Sequence, residues 1–294
     1  NFEEVRVSGA DYDISLTGSL GTVADQGGVS LDISIPKAPA RAVLRFWPAF
    51  VASDVRRYLV DNLTDGTVEG MSLKTSLTSD ELLASRNKQP VPDETLDLTF
   101  AVKDGTLRPA DGLPVLTQVN ASGVVTGLTT RIEVAQAEVK LPANRSLSLV
   151  DGVFAVADHR PPVFSSANFQ LRGQADALIA LLGSDALKGT VQIDIDPAKV
   201  RGQADIKVAL GIPLGKDMSA ADVTATATGS LTNLSVDGFS GKDKLESASL
   251  ALNVDATAFT LKGTGQIAGL PATFDMRQLL RSNAGEATIS LVLD

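Results

Sequence analysis

The chain is predicted to be mainly β: an elongated, twisted antiparallel β-sheet curled into an open groove, with a few short helices. Three observations predict it. Apolar and polar residues alternate singly along most of the 294 residues, turn-forming residues punctuate that alternation, and stripes with helical spacing are few. Successive side chains of a strand point to opposite faces, so each alternating run has one apolar face and one wet face.

The alternating runs, in order, are Ile14/Leu16, Leu31/Ile33/Ile35, Leu96/Leu98/Phe100/Val102, Ile132/Val134, Val191/Ile193/Ile195, Ile206/Val208/Leu210, Leu250/Leu252/Val254, Phe259/Leu261 and Ala287/Ile289/Leu291/Leu293. Between them stand Gly27-Gly28, Lys103-Asp104-Gly105, Asp111-Gly112, Asp151-Gly152, Asp237-Gly238 and Ser240-Gly241. These residue types accept the left-handed backbone of tight hairpins, which predicts a meander. Such spacing predicts on the order of 15 strands, too many for a flat open sheet.

Three segments break the period of two. From Pro48 to about Leu63, Val51, Val55, Tyr58, Leu59 and Leu63 form one stripe, and Gly66 supplies a stop. A shorter helix is expected from Ala175 to Leu182, closed by Gly183, and a third from Asp275 to about Asn283, with Met276, Leu279 and Leu280 inward. Ser79 to Val91 reads as a loop or brief helical turn, and Pro161-Pro162 as a rigid turn. Helices this few and short cannot cover the apolar face of such a sheet. The face must curl onto itself, pack on another sheet, or remain available to a ligand. No interdomain linker stands out, so one continuous body over 1–294 is expected.

Composition narrows the function. With 26 basic against 35 acidic residues the net charge is −9, which opposes attraction to phosphate backbones and argues against nucleic acid. No Lys/Arg cluster stands out as a site for anionic headgroups. There are no cysteines, so thiolate chemistry and disulfides are excluded. No apolar run approaches the roughly 20 residues of a spanning helix, which reads as a soluble chain or a soluble piece of an anchored one. An aromatic content of 4% argues against an outer-membrane barrel with its aromatic girdles.

Chemistry-bearing residues are sparse. His159 is the single histidine, which excludes a multi-imidazole metal centre, and it reads as a surface residue before a turn. Asp194 and Asp196, like Asp11 and Asp13, share a strand face, where carboxylates are also what solvation requires. The Gly211 to Asp217 segment lacks the spacing of a phosphate loop, and Gly263-Thr-Gly265 continues a strand instead of opening a helix. No catalytic residue, metal site or cofactor is expected.

From Phe46 to Gly183 the local wording becomes more specific. It comprises Phe46-Trp47-Pro48, Val55-Arg56-Arg57-Tyr58-Leu59 ending in Asn62-Leu63, and Thr64-Asp65-Gly66-Thr67-Val68. There follow Asp104-Gly105-Thr106-Leu107, Leu113-Pro114-Val115-Leu116, Val119-Asn120-Ala121-Ser122-Gly123, and Phe169-Gln170-Leu171-Arg172-Gly173 leading into Ala177 to Leu182. This resembles the AsmA-like superfamily of bacterial envelope proteins, and within it the YhdP-type domain. The likeness covers 46–183, with 1–45 as preceding strands and 184–294 as further strands of the same groove. It implies the periplasmic, soluble part of an inner-membrane-anchored protein that carries phospholipids between inner and outer membranes.

The expectation is therefore a non-enzymatic lipid conduit whose partners are phospholipid acyl chains and components of the two membranes. Its lining is assigned to Leu96, Leu98, Phe100, Ile132, Val134, Val191, Ile193, Ile206, Val208, Leu250 and Leu252. The alternative is a structural or assembly scaffold, including one for outer-membrane proteins, in which the same residues form a closed sandwich or solenoid core.

Overall fold

The computed structural model describes residues 2–9, 13–23, 26–47, 53–87, 89–187, 195–215, 222–240, 243–279 and 287–293. Fifteen strands form one antiparallel sheet in which every strand pairs with its neighbours in sequence. They are β1 (Phe2–Ser8), β2 (Asp13–Val23), β3 (Gln26–Pro39), β4 (Leu63–Thr78), β5 (Leu96–Leu107), β6 (Leu116–Thr126), β7 (Thr130–Leu141) and β8 (Arg145–Val156). The sheet continues through β9 (Val163–Gln174), β10 (Val200–Leu214), β11 (Thr224–Ser240), β12 (Asp243–Val254), β13 (Ala258–Ile267), β14 (Leu270–Leu279) and β15 (Ala287–Leu293). It does not close into a barrel. At ~4.8 Å per strand its hydrogen-bonded width is on the order of 70 Å.

Register places the apolar residues of neighbouring strands opposite one another. Ile33 faces Leu73, Leu73 faces Leu98, and Leu98 faces Val125. In the later strands Leu171 faces Ile206, Ile206 faces Gly229, Gly229 faces Leu252, and Leu252 faces Leu261. The opposite, wet face carries cross-strand ion pairs, including Lys103 with Glu69 at 2.7 Å and Lys262 with Asp275 at 2.8 Å. Exposed pairs of this kind contribute less than about 1 kcal/mol each, so the apolar face dominates the energetics.

Among the described residues four short helices sit at the ends of the sheet: α1 (Ala40–Phe46), α2 (Ser53–Asn62), α3 (Ser79–Arg86) and α4 (Ala175–Leu182). In a consecutive antiparallel meander, connections alternate between the two ends of the strands. The helices α1 and α2 join β3 to β4, and α4 follows β9, so these three share one end while α3, between β4 and β5, lies at the other. Three buried clusters result. One joins β2 to β6 with Ala40 and Val43 of α1, and one joins β6 to β9 with Ala177 and Leu181 of α4. The third runs from β10 to β14 with Ala175 and Leu178 of α4.

Several expectations require correction. The segment from Asp275 is the second half of β14, because Ala272, Phe274, Met276 and Gln278 keep the period of two; residues 280–283 of the expected helix lie outside the described residues. The helix α1 falls within a segment read as strands. α3 is a true helix with a capping box, Glu81 N donating to Thr78 Oγ1 at 3.3 Å and Thr78 N to Glu81 Oε2 at 2.8 Å. α2 forms, and of its expected stripe Leu59 and Leu63 are half-buried, Val55 and Tyr58 are exposed, and Val51 lies outside the described residues.

The expected turns at Lys103-Asp104-Gly105, Asp151-Gly152 and Asp237-Gly238 are interior to strands, and Gly27-Gly28 belongs to β3. At Asp104 and Asp151 the register slips by one residue where φ is 52°, an inserted β-bulge. Gly70, Gln118, Asn233 and Ser247, with φ of 85°, 52°, 49° and 50°, mark similar slips in β4, β6, β11 and β12. Each extra residue bends its strand and increases twist.

At Asp151 the left-handed backbone suits Asp or Gly and penalises a β-branched residue. Asp151→Gly is expected to leave stability within about 0.5 kcal/mol, whereas Asp151→Val should cost about 1–2 kcal/mol, both read by urea unfolding. Equal stability of the two variants would contradict the bulge.

Candidate functional site

The candidate site is the apolar face where it crosses β5 to β10. One register row runs Met71, Phe100, Gly123, Ile132, Phe154, Ala167, Leu210 across six consecutive pairs of strands. Met71 is buried at 6%, but Phe100, Ile132, Phe154, Ala167 and Leu210 are only half-buried. Phe100 lies across Gly123: a Cβ built there would stand 2.4 Å from its Cζ. An aromatic ring thus fills the space that a glycine leaves, and any larger residue at that position would displace it.

The row has a specific location relative to the core. Phe100 packs on the first cluster, and Val134 and Phe169 on the second, whereas Ile132, Phe154, Leu210 and Ile212 belong to none of the three clusters. These four side chains occupy the part of β7, β8 and β10 directed away from α4. Among the described residues nothing covers the apolar face there, and these side chains stay half-buried. Dispersion and solvent exclusion can hold hydrocarbon on such a surface, at about 25 cal/mol per Å² covered, and no directional bond is involved.

Of the residues assigned to a lining, Leu96, Phe100, Ile132, Val134 and Val208 are half-buried and share this face. Leu98 at 1%, Ile206 at 3%, Leu250 at 6% and Leu252 at 8% share the face too but are closed over by the clusters. Val191 and Ile193 lie outside the described residues. Sequence reasoning missed Phe154. Leu147 and Leu149 point inward on odd positions and Gly152 and Val156 on even ones, because the bulge at Asp151 inverts the alternation within β8. The Phe154/Val156 pair after Asp-Gly was the available signal.

The polar candidates hold structure together. Asp13 accepts from Arg6 Nε at 2.9 Å, and that bond holds its carboxyl below the usual range. Asp196 caps the turn at Pro197–Lys199, its Oδ1 accepting from Ala198 N at 2.9 Å, while Asp11 and Asp194 lie outside the described residues. No group of three or more metal-ligating side chains occurs among the described residues.

His159 is not a bare surface residue. It is half-buried at the α3 end of the sheet, where its N donates to Leu128 O at 2.8 Å and its Nε2 meets Thr130 Oγ1 at 3.0 Å. The Asp93 carboxylate braces the same β6–β7 turn by accepting from Leu128 N at 3.0 Å. Burial pushes the imidazole below its ordinary value, opposed by a bond to the Gly127 carbonyl and by the Asp158 and Asp93 charges. Asp158 itself is held at about 2 by its hydrogen bonds from Arg160.

Because the folded pKa of His159 is the lower one, the native state binds fewer protons, and stability is lost as pH falls below the unfolded value near ~6.5. His159→Asn is expected to cost about 1–2 kcal/mol at neutral pH, with the gap to the parent narrowing as pH falls toward 5. Urea unfolding of both chains across that range checks it, and a gap that widens in acid would be the contrary result.

No helix among the described residues is long and apolar enough to cross a membrane. No family model, no curated protein and no solved structure matches the chain.

Proposed function

We propose that the protein is a non-enzymatic carrier or conduit for hydrocarbon chains, and that phospholipid acyl chains are what its inner face accommodates. The observation that supports it is the uncovered stretch of Ile132, Phe154, Leu210 and Ile212, continuous with the packed face yet part of no cluster. A sheet that served only as a scaffold would gain by burying these half-buried residues completely, each forgoing a fraction of the about 1.5–3 kcal/mol that full burial of such a side chain contributes. The likeness of residues 46–183 to the AsmA-like, YhdP-type domain points the same way and extends the proposal to passage between bacterial membranes in the periplasm. The scaffold reading remains the rival, and it is favoured by the closed clusters around Leu98 and Leu252.

The direct experiment is mass spectrometry of lipids released from the purified, folded chain, with a photocrosslinking residue at Ile132 or Phe154. Crosslinks to phospholipid are expected at both positions. Crosslinks to protein alone would support the scaffold.

Burial also sets apart two classes of substitution. Ile132→Asp and Leu210→Asp, at half-buried positions outside the clusters, should leave the chain folded while weakening lipid capture, since the carboxylate can stay hydrated but obstructs hydrocarbon. Leu98→Asp places a charge at a site 1% exposed and should destabilise by more than ~3 kcal/mol. Thermal unfolding beside lipid capture measures both. Unfolding of the Ile132 and Leu210 variants would count for a dry core.

A further inference from the structure

The helices α1 and α2 combine positive charge with exposed apolar side chains. Residues 40–62 contain four arginines, Arg41, Arg45, Arg56 and Arg57, no lysine, and two aspartates, Asp54 and Asp61. Spread along the sequence these residues form no evident headgroup cluster, but on two helices in contact they make a positive island in a chain of net charge −9. The same segment holds the single tryptophan and one of the two tyrosines.

The geometry explains why this segment is not simply another packed connection. Ala40, Val43 and Leu44 anchor α1 in the first cluster, and Trp47 packs against that cluster. With this inner side fixed, Arg41 and Arg45, four residues apart and so on one face of the helix, point outward. Neither engages in an ion pair among the described residues. Phe46 is 46% exposed, and on α2 Val55 is 46%, Tyr58 40% and Val60 39% exposed. α2 is held by its edges: Tyr58 Oη donates to the Pro109 carbonyl at 2.9 Å, and Arg56 Nε to the Trp47 carbonyl at 3.2 Å. Leu59 is half-buried where α2 rests on the sheet, while Val55, Tyr58 and Val60 stay exposed.

We propose that α1 and α2 form a docking surface for an anionic phospholipid bilayer. Exposed aliphatic and aromatic side chains among arginines are the composition of a helix lying in a headgroup interface, with the apolar residues below the phosphates and the guanidinium groups at their level. Arginine pairs bidentately with phosphate, and each basic residue near an anionic surface strengthens binding by about fivefold. An acidic protein partner would be drawn by the same charge but gives no reason for apolar residues left exposed between the arginines. Through Trp47 the surface is continuous with the apolar face of the sheet, so a docked bilayer would meet that face at its helix-bearing end. This reading stands beside the conduit proposal and does not require it.

The test is flotation of the full chain with vesicles of phosphatidylcholine alone, and of phosphatidylcholine with about a third phosphatidylglycerol, at ~0.1 M salt. Binding to the anionic vesicles only is expected. The Arg41→Gln/Arg45→Gln chain should bind them about 25-fold more weakly, and Val55→Ser/Val60→Ser should also weaken binding, with thermal unfolding unchanged because all four side chains are exposed. Absent binding by the parent chain, or equal binding by the arginine variant, overturns the proposal, as does binding only to an acidic polypeptide such as polyglutamate. Lipid release from the same preparations separates the two readings. Vesicle binding by a chain that carries no lipid supports the docking surface and counts against the conduit; retained lipid in a parent chain that ignores vesicles does the reverse.

Discussion

The structure depends on one constraint: an unbroken ladder of fifteen antiparallel strands has a single apolar face, and four short helices cannot hide it. A barrel would remove the problem by closing the sheet, and a sandwich by supplying a second one. This chain does neither, because every strand pairs only with its neighbours in sequence. The remaining solution is curvature. Bulges in β4, β5, β6 and β8, and again in β11 and β12, bend successive strands so that the apolar side chains converge into three clusters. The backbone supplies that bend at residues able to tolerate positive φ, which is why Asp, Asn, Gln, Ser and Gly recur inside strands.

The same constraint decides where the helices go. α4 covers the face where Leu147, Leu149, Ala204 and Leu231 lie, and it joins the second and third clusters through adjoining faces of a single short helix. α1 seals the margin near Ile35 and Val68. Among the described residues nothing equivalent covers the other half of β7 to β10, and Ile132, Phe154 and Leu210 stay half-buried. Exposure there is a consequence of topology. A connecting segment of a few residues between β6 and β7, or β8 and β9, can turn the chain but cannot supply an apolar cover.

Much of this was legible in the amino-acid order. A period of two survives in long stretches of β3, β5, β10 and β12 between their register slips, and the helix at Ala175 to Leu182 stands out by the apolar run that follows Asp176. The misplaced turns share one cause, since a bulge and a hairpin ask for the same residues. Asp151-Gly152 signals left-handed backbone in either setting, and only the pairing of Val150 with Gln170 and of Val153 with Asn168 tells that the strand continues. Asp275 failed differently: Met276 and Leu279 are three apart, which fits a helix, but Phe274 and Gln278 share the inner face with Met276 and only a strand allows that. The site was legible as a face, not as a boundary. Which members of the face are sealed depends on α1 and α4, and the path of a helix over a sheet leaves no mark in the alternation of strands.

The uncovered band also carries a mechanical argument. Its row combines large side chains at Phe100, Ile132, Phe154 and Leu210 with small ones at Gly123 and Ala167. A surface of that kind holds hydrocarbon by area alone, so displacing a chain by one methylene exchanges contacts nearly equal in energy, at about 0.8 kcal/mol per group covered. Polar groups along the row would create fixed wells, and the row has none. The glycine under Phe100 matters in this respect, because a side chain there would lift the ring out of the face and raise a ridge across the band. Under the conduit reading, smoothness along the row is therefore as much a requirement as hydrophobicity. The absence of hydrogen-bonding side chains from Phe100 to Leu210 is the feature by which a sliding surface differs from a binding pocket.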